Sequence, residues 1–186
     1  GFTQLGGQQR CGLDHMAEDM LSLLRNQGWH PTLVVGHSAG VAIALRLWEL
    51  GLRPTKGIVG INAALGNFKG VAGWLFPMMA KALAVTPFSV RNLIRGTGST
   101  LDNVGLDLYY RLATDKGHVD ATLSMMAQWT LDDLLARLHT IDVPVHLVTG
   151  LNDLAVPPSV SRQAVQKIPH ATLTELPELG HLAHEE

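Results

Sequence analysis

The sequence predicts an α/β fold in which parallel strands are interrupted by a block of helices. Three observations carry this. Leu33-Val34-Val35 and Gly57-Ile58-Val59-Gly60-Ile61 are short, near-continuous apolar runs with a helical pattern between them. Such runs read as strands of a parallel sheet covered on both faces. From Ala63 to about Leu138 the periodicity is helical only, and the alternation of strand and helix then resumes.

The chain has 186 residues, enough for one domain with a core of its own. Its 46% hydrophobic and 16% charged residues are ordinary for a globular protein. A net charge of −2 offers no basic face for a nucleic-acid backbone, so no nucleic-acid partner is expected. Cys11 is the one cysteine, which excludes a disulfide framework and a thiolate metal cluster. The lone cysteine fits a reducing setting, and the chain is expected to be cytoplasmic; no signal peptide opens it. No cofactor and no metal is expected. It opens on Gly1-Phe2-Thr3 and stops at Glu185-Glu186, where a helix is expected to begin. It is therefore read as a fragment of a longer protein.

The elements follow in order. Gly1 to Gly12 is rich in Gly and Gln and reads as loop. Leu13, Met16, Ala17, Met20, Leu23 and Leu24 recur at helical spacing, which predicts a helix over Leu13–Gln27 with Gly28 as its stop. A strand over Thr32–Val35 leads into a helix over Ala39–Leu50, ended by Gly51 and Pro54. A second strand covers Lys56–Asn62. Helices are then predicted near Val71–Ala84, Pro87–Ile94, Val104–Thr114, His118–Trp129 and Leu131–Leu138. Gly96-Thr97-Gly98-Ser99 lacks the lysine of a phosphate-binding loop and reads as a turn. A strand at Val143–Gly150, a helix at Ser159–Ile168 and a strand at Ala171–Leu176 complete the pattern, and His181–Glu186 is expected to start a helix. The organisation expected is a core over residues 1–62, a helical lid over 63–138, and the rest of the core over 139–186.

The first strand and helix enclose Gly36-His37-Ser38-Ala39-Gly40. Gly-x-Ser-x-Gly between a strand and a helix is the nucleophile elbow of α/β-hydrolases. A side chain at Gly36 or Gly40 is expected to collide with the neighbouring helix or strand. A bare Gly-x-Ser-x-Gly also arises by chance as a turn with an idle serine, a reading weakened by this context. The helix that starts at Ala39 points its N–H groups toward any oxyanion formed at Ser38.

A serine hydroxyl needs a base within hydrogen-bond reach, and the base needs a group that fixes its tautomer. In this fold they follow in the order Ser, acid, His. Asp153 lies just past the strand that ends at Gly150, and His181 just past the strand that ends at Leu176. All three candidates therefore sit at carboxyl ends of parallel strands, where open α/β sheets bind ligands. Asp153 also reads as a turn or capping aspartate, and His181 alone as a surface histidine. His37 is expected to pack locally. His184, one helical turn past His181, is the competing base. His118 reads as a solvent-facing lid residue. Ala39 N–H is one oxyanion donor, and the second is expected outside this sequence, with the first strands of the sheet. On that reading these residues alone are inactive, with an open apolar edge at Leu33–Val35.

Gly70 to Phe88 is the most apolar window and approaches the length of a membrane helix. It contains Pro77 and Lys81 and reads better as a lid helix, so membrane association is not expected. Met78, Met79, Met125 and Met126 suit either a large apolar ligand or plain packing.

Several stretches resemble one family in particular. They are the elbow, Gly180-His181-Leu182-Ala183-His184-Glu185-Glu186, Asn62-Ala63-Ala64-Leu65, Gly96-Thr97-Gly98-Ser99, Leu108-Tyr109-x-Arg111-Leu112, His118-Val119 and Met125-Met126-Ala127-x-Trp129. Together they are similar to the magnesium-chelatase accessory hydrolases of bacteriochlorophyll synthesis (the BchO family), over nearly the whole chain. The resemblance implies an α/β-hydrolase fold of which this is the C-terminal part, without the N-terminal strands. It implies Ser38, Asp153 and His181 as a triad and a role near magnesium insertion into protoporphyrin. Two functions follow as expectations. One is a serine hydrolase of an ester or similar acyl bond, acting on a small apolar ester or tetrapyrrole-like ligand. The other is a non-catalytic porphyrin-binding protein that assists magnesium chelatase on the same fold. Dehalogenase and epoxide-hydrolase chemistry is disfavoured, because those enzymes carry aspartate where Ser38 stands.

Overall fold

The computed structural model describes residues 10–54, 56–66 and 86–186. Four strands, β1 (Leu33–His37), β2 (Gly57–Ile61), β3 (Val145–Gly150) and β4 (Ala171–Leu176), form one sheet in the order β1-β2-β3-β4. Every pairing is parallel, as the spacing of strands and helices predicts. Pro144 has no N–H to give a ladder, and β3 starts one residue after it.

Helix α1 (Leu13–Asn26) ends where Gly28 takes φ 65°. It packs through Ala17 and Leu21 against Leu47 of α2 (Ala39–Glu49). Helix α2 lies on the sheet. Its Val41 and Leu45 are fully buried with Ile58 of β2 and Val145 and Leu147 of β3. Each such side chain contributes about 1.5–3 kcal/mol by leaving water. A Cβ on Gly60 would stand 2.7 Å from Leu147 Cδ2 and 2.8 Å from Val41 Cγ1, so this glycine lets helix and sheet close up. The helix after β3, given below, closes the same layer with Ala164 and Ile168.

The opposite face departs from the expectation of a sheet covered on both sides. Among the described residues Leu33 and Val35 are 42% and 58% exposed, and Thr172 and Thr174 are exposed. Val35, Val59, His146 and Thr172 are in register on this face. Polar residues at His146, Thr172 and Thr174 make β3 and β4 alternate, the pattern of half-buried strands.

Between β2 and β3 the described residues are helical, as predicted: α3 (Pro87–Gly96), α4 (Asn103–Thr114), α5 (Lys116–Gln128), α6 (Asp132–Ala136) and a 3₁₀ turn (Leu138–Thr140). A capping box between Thr86 and Ser89 starts α3, and Asp102 and Asp115 cap α4 and α5. The helix expected near Val71–Ala84 lies outside the described residues, as do Met78 and Met79. Met126 is 38% exposed, and α5 buries no residue fully, so this methionine pair is not core. No helix among the described residues is long and apolar enough to cross a membrane. Helix α7 (Pro158–Lys167) follows β3.

The helix expected at His181–Glu186 is instead a run of turns. Glu185 N–H bonds Leu182 O, a tighter span than an α-turn. The Glu186 carboxylate folds back to accept from the N–H groups of Gly180 and Thr100, which fixes the turn.

Candidate active site at the carboxyl ends of the strands

Ser38 sits between the last residue of β1 and the first of α2, at φ 53° and ψ −118°. This conformation is costly for a residue with a Cβ, so its surroundings must impose it. They do so through the backbone. Ser38 N–H donates to Ile61 O at 2.9 Å, and Ser38 O accepts from Val41 and Ala64 N–H, both at 3.2 Å. A Cβ on Gly36 would lie 2.5 Å from Gly40 O, so only glycine admits the turn there. The matching expectation for Gly40 is corrected, because a Cβ at Gly40 meets nothing within 4 Å among the described residues. Gly40 lies in the first turn of α2 and presents its α-hydrogens to open space; the crowding belongs to Gly36.

The turn brings Ser38 to the two other predicted residues. His181 Nε2 is 3.0 Å from Ser38 Oγ, and His181 Nδ1 is 2.8 Å from Asp153 Oδ2. An ionised carboxylate only accepts, so Nδ1 carries the proton and Nε2 turns a lone pair toward the serine. Asp153 is 3% exposed. Its Oδ1 accepts from the N–H groups of Ala155 and Val156, at 2.9 and 2.7 Å. Asp153 is thus also a turn aspartate, one oxygen closing its loop and the other holding His181. Burial alone would raise its pKa. The hydrogen bonds from His181, Val156 N–H and Asn62 outweigh burial and hold the carboxyl below its ordinary value.

His37 does more than pack locally. Its Nε2 lies 2.7 Å from His181 O, and since a carbonyl only accepts, Nε2 carries the proton. Burial depresses its pKa, the bond to the His181 carbonyl opposes that, and the nearby His184 and His181 add to the depression. The His184 ring rests 4.1 Å from the His37 ring, with Nε2 3.2 Å from Glu185 Oε1. It is His181, and not His184, that stands against Ser38. Glu185 also accepts from Tyr109 OH of α4 at 2.7 Å, which pushes the phenol's pKa up along with burial.

Two further groups in the site escape sequence reasoning. Asn62, just past β2, is fully buried and donates from Nδ2 to Asp153 Oδ2 at 2.7 Å. Its signals in the sequence are its place at a strand's carboxyl end and in the stretch Asn62-Ala63-Ala64-Leu65 that carries the resemblance, and neither names a partner. The second is the turn after α3. Thr97 O accepts from both Leu154 N–H (3.1 Å) and His181 N–H (3.3 Å), joining the acid loop to the base loop. Ser99, fully buried, accepts from Leu182 N–H at 2.8 Å. Gly98 has φ 83°, and its Cβ would fall on Asn152 O; a Cβ on Gly180 would stand 2.3 Å from the Gly98 carbonyl carbon.

Elsewhere, a cleft between α1, α2 and α6 is lined by Asp14, Arg46, Asp133 and Arg137. Arg46 and Arg137 both bond Glu49, and none of the three predicted residues reaches this cleft. Among the described residues no three His, Cys, Asp or Glu side chains are placed to hold a metal ion.

Comparison with known proteins bears on the fold and the family. The model of the alpha/beta hydrolase family matches residues 5–186. The magnesium-chelatase 30 kDa subunit of Rhodobacter capsulatus is 43% identical over 199 residues, spanning 100% of this chain and 69% of that protein. Among solved structures, an esterase from Exiguobacterium antarcticum superposes with a TM-score of 0.79 at 16% identity, covering 95% of this chain and 69% of that one. A bromoperoxidase from Bacillus anthracis gives 0.79 at 14% identity, over 95% of this chain and 70% of that one. At such identities the two structures speak to fold alone. The sheet, the turn at Ser38 and the family match lead to one conclusion: this chain belongs to the alpha/beta hydrolase family and is a relative of the magnesium-chelatase 30 kDa subunit.

Proposed function

We propose that the chain is a serine hydrolase acting on an ester or similar acyl bond. The observation that supports it most is the pair of His181 contacts, 3.0 Å to Ser38 Oγ and 2.8 Å to Asp153 Oδ2. Ser38 Oγ attacks the acyl carbon while its proton passes to His181 Nε2. The ionised Asp153 holds the ring's tautomer and stabilises the imidazolium. His181 then returns the proton to the leaving alcohol, and water repeats the sequence on the acyl-enzyme. Ala39 N–H, at the first position of α2 where no intrahelical acceptor exists, faces the developing oxyanion. In this reading residues 1–62 and 139–186 form the core and 63–138 the lid.

The similarity to the magnesium-chelatase 30 kDa subunit supports a setting that we propose with it: a role accessory to magnesium-protoporphyrin and bacteriochlorophyll synthesis, with a small apolar ester or tetrapyrrole-like ligand. That same name favours a second reading, in which the fold binds a porphyrin or assists magnesium chelatase without catalysis. A fluorophosphonate probe separates the two in the complete protein. Labelling at Ser38 that disappears in Ser38→Ala and His181→Ala, and weakens in Asp153→Asn, is the expected result. A well-folded protein that takes no label refutes the hydrolase and leaves the binding reading.

A further inference from the structure

We infer that Asn62 is a positioning residue for Ser38, His181 and Asp153, its amide tying the acid carboxylate to the loop that carries the base. The inference rests on the hydrolase reading above. Asn62 follows β2 at φ 47°, a left-handed conformation that asparagine tolerates better than most residues. Its backbone N–H donates to Val148 O at 2.8 Å, which fastens it to β3. Its Nδ2 reaches Asp153 Oδ2 at 2.7 Å and Gly180 O at 3.2 Å. Both targets only accept, so the NH₂ end must face them; the flipped amide would set oxygen against a carboxylate.

The other end of the amide argues for a role beyond packing. Asn62 Oδ1 is buried with no partner among the described residues. A buried amide oxygen without a donor is disfavoured, and an apolar side chain would avoid that cost. What the amide alone supplies is a pair of donors bridging the acid and the residue before the base. Asp153 Oδ1 is fixed by Ala155 and Val156 N–H, and Oδ2 by His181 and Asn62. Without Asn62 the second oxygen keeps His181 alone. The carboxylate is then freer to turn, and more of its charge falls on the imidazole. The bond from Asn62 is one of the contacts that hold the Asp153 carboxyl below its ordinary value, so without it the carboxylate takes its proton at higher pH and stops orienting the imidazole. Among the described residues, the other titratable groups around the pair include His37 from β1 and His184, Glu185 and Glu186 from the base's own segment, the last on Gly180 N–H.

The test is the rate of fluorophosphonate labelling against pH in the complete protein, for the wild type, Asn62→Gly and Asn62→Asp. Glycine keeps the left-handed backbone without the amide. Aspartate keeps the shape but replaces the donor with a second carboxylate. Both variants are expected to label 10- to 100-fold more slowly near neutral pH, the range in which small misplacements act. The acidic limb of both profiles should move to higher pH. Wild-type labelling with unchanged rates and limbs in the variants overturns the inference while sparing the hydrolase. So does a loss equal at every pH, or unfolding of both variants, because either would assign the two bonds to stability. A wild type that takes no label overturns both.

Discussion

Leu182 and Ser99 are joined by a buried hydrogen bond of 2.8 Å, from a peptide N–H one residue past the candidate base to a hydroxyl in the turn after α3. Replacing Ser99 by alanine leaves that N–H buried and unpaired. The expected loss is about 1–3 kcal/mol of unfolding free energy. Urea denaturation of Ser99→Ala measures it, and a change below about 0.5 kcal/mol would mean that the N–H finds another acceptor.

His37 makes stability depend on pH in a definite sense. Its folded pKa lies below the ordinary imidazole value because burial and the neighbouring His184 and His181 disfavour the charge. Above about 6.5 both folded and unfolded chains hold it neutral. As pH falls from there toward the folded pKa, the unfolded chain takes the proton first, so stability is lost across that window. In His37→Gln the loss between pH 7 and 5 should be shallower than in the wild type. Chemical denaturation of the two proteins across that range gives the comparison; parallel curves would contradict it.

The two elbow glycines should respond oppositely to alanine. At Gly36 a Cβ meets the Gly40 backbone at 2.5 Å, which rotation of a side chain cannot relieve, and a loss of roughly 2–4 kcal/mol is expected. At Gly40 the space is open among the described residues. Alanine should be neutral there, or stabilising by up to about 1 kcal/mol through helix propensity. Melting temperatures of the two variants, measured side by side, decide the point.

Glu49 holds two cations at once. Its pKa is raised by burial but brought below the ordinary value by the hydrogen bonds from Arg137 and Arg46. Glu49→Gln should cost about 1–2 kcal/mol at neutral pH, since both arginines are partly exposed and water screens what remains. That difference is present above about pH 4.5 and disappears as acid protonates Glu49 in the wild type. A penalty that persists undiminished at acid pH would point to lost packing rather than lost charge.

What could be read from the chain divides by distance. The turn at Ser38 was legible because strand, glycine, serine and helix are contiguous. Asp153 and His181 were legible because the fold delivers them in a fixed order at strand ends, so each needed only its own strand. Asn62 is not, since its partners Asp153 and Gly180 lie far along the chain, and the resemblance carried by Asn62-Ala63-Ala64-Leu65 gives it no role. Thr97 escaped for a different reason, in that its contribution is a backbone carbonyl, which no side-chain pattern announces. His184 competes with His181 only if the chain is helical past His181. The turns found there send its ring onto His37 instead. The two glycines of the motif look alike in sequence, yet among the described residues only Gly36 is pressed.

The close approach of Gly98 to Asn152 and Gly180 bears on how such proteins can be recombined. Residues 97–99 are gripped on one side by the segment after β3 and on the other by the segment after β4, with no room for a single methyl group. The helices between β2 and β3 are therefore not a detachable cap that could be traded for another relative's while the rest stays intact. A chimera that imports foreign helices must import a glycine-bearing hinge of the same shape, or the two segments it wedges apart will lose their alignment. Exchange points for shuffling should fall outside residues 94–102, leaving that stretch with the sheet it serves.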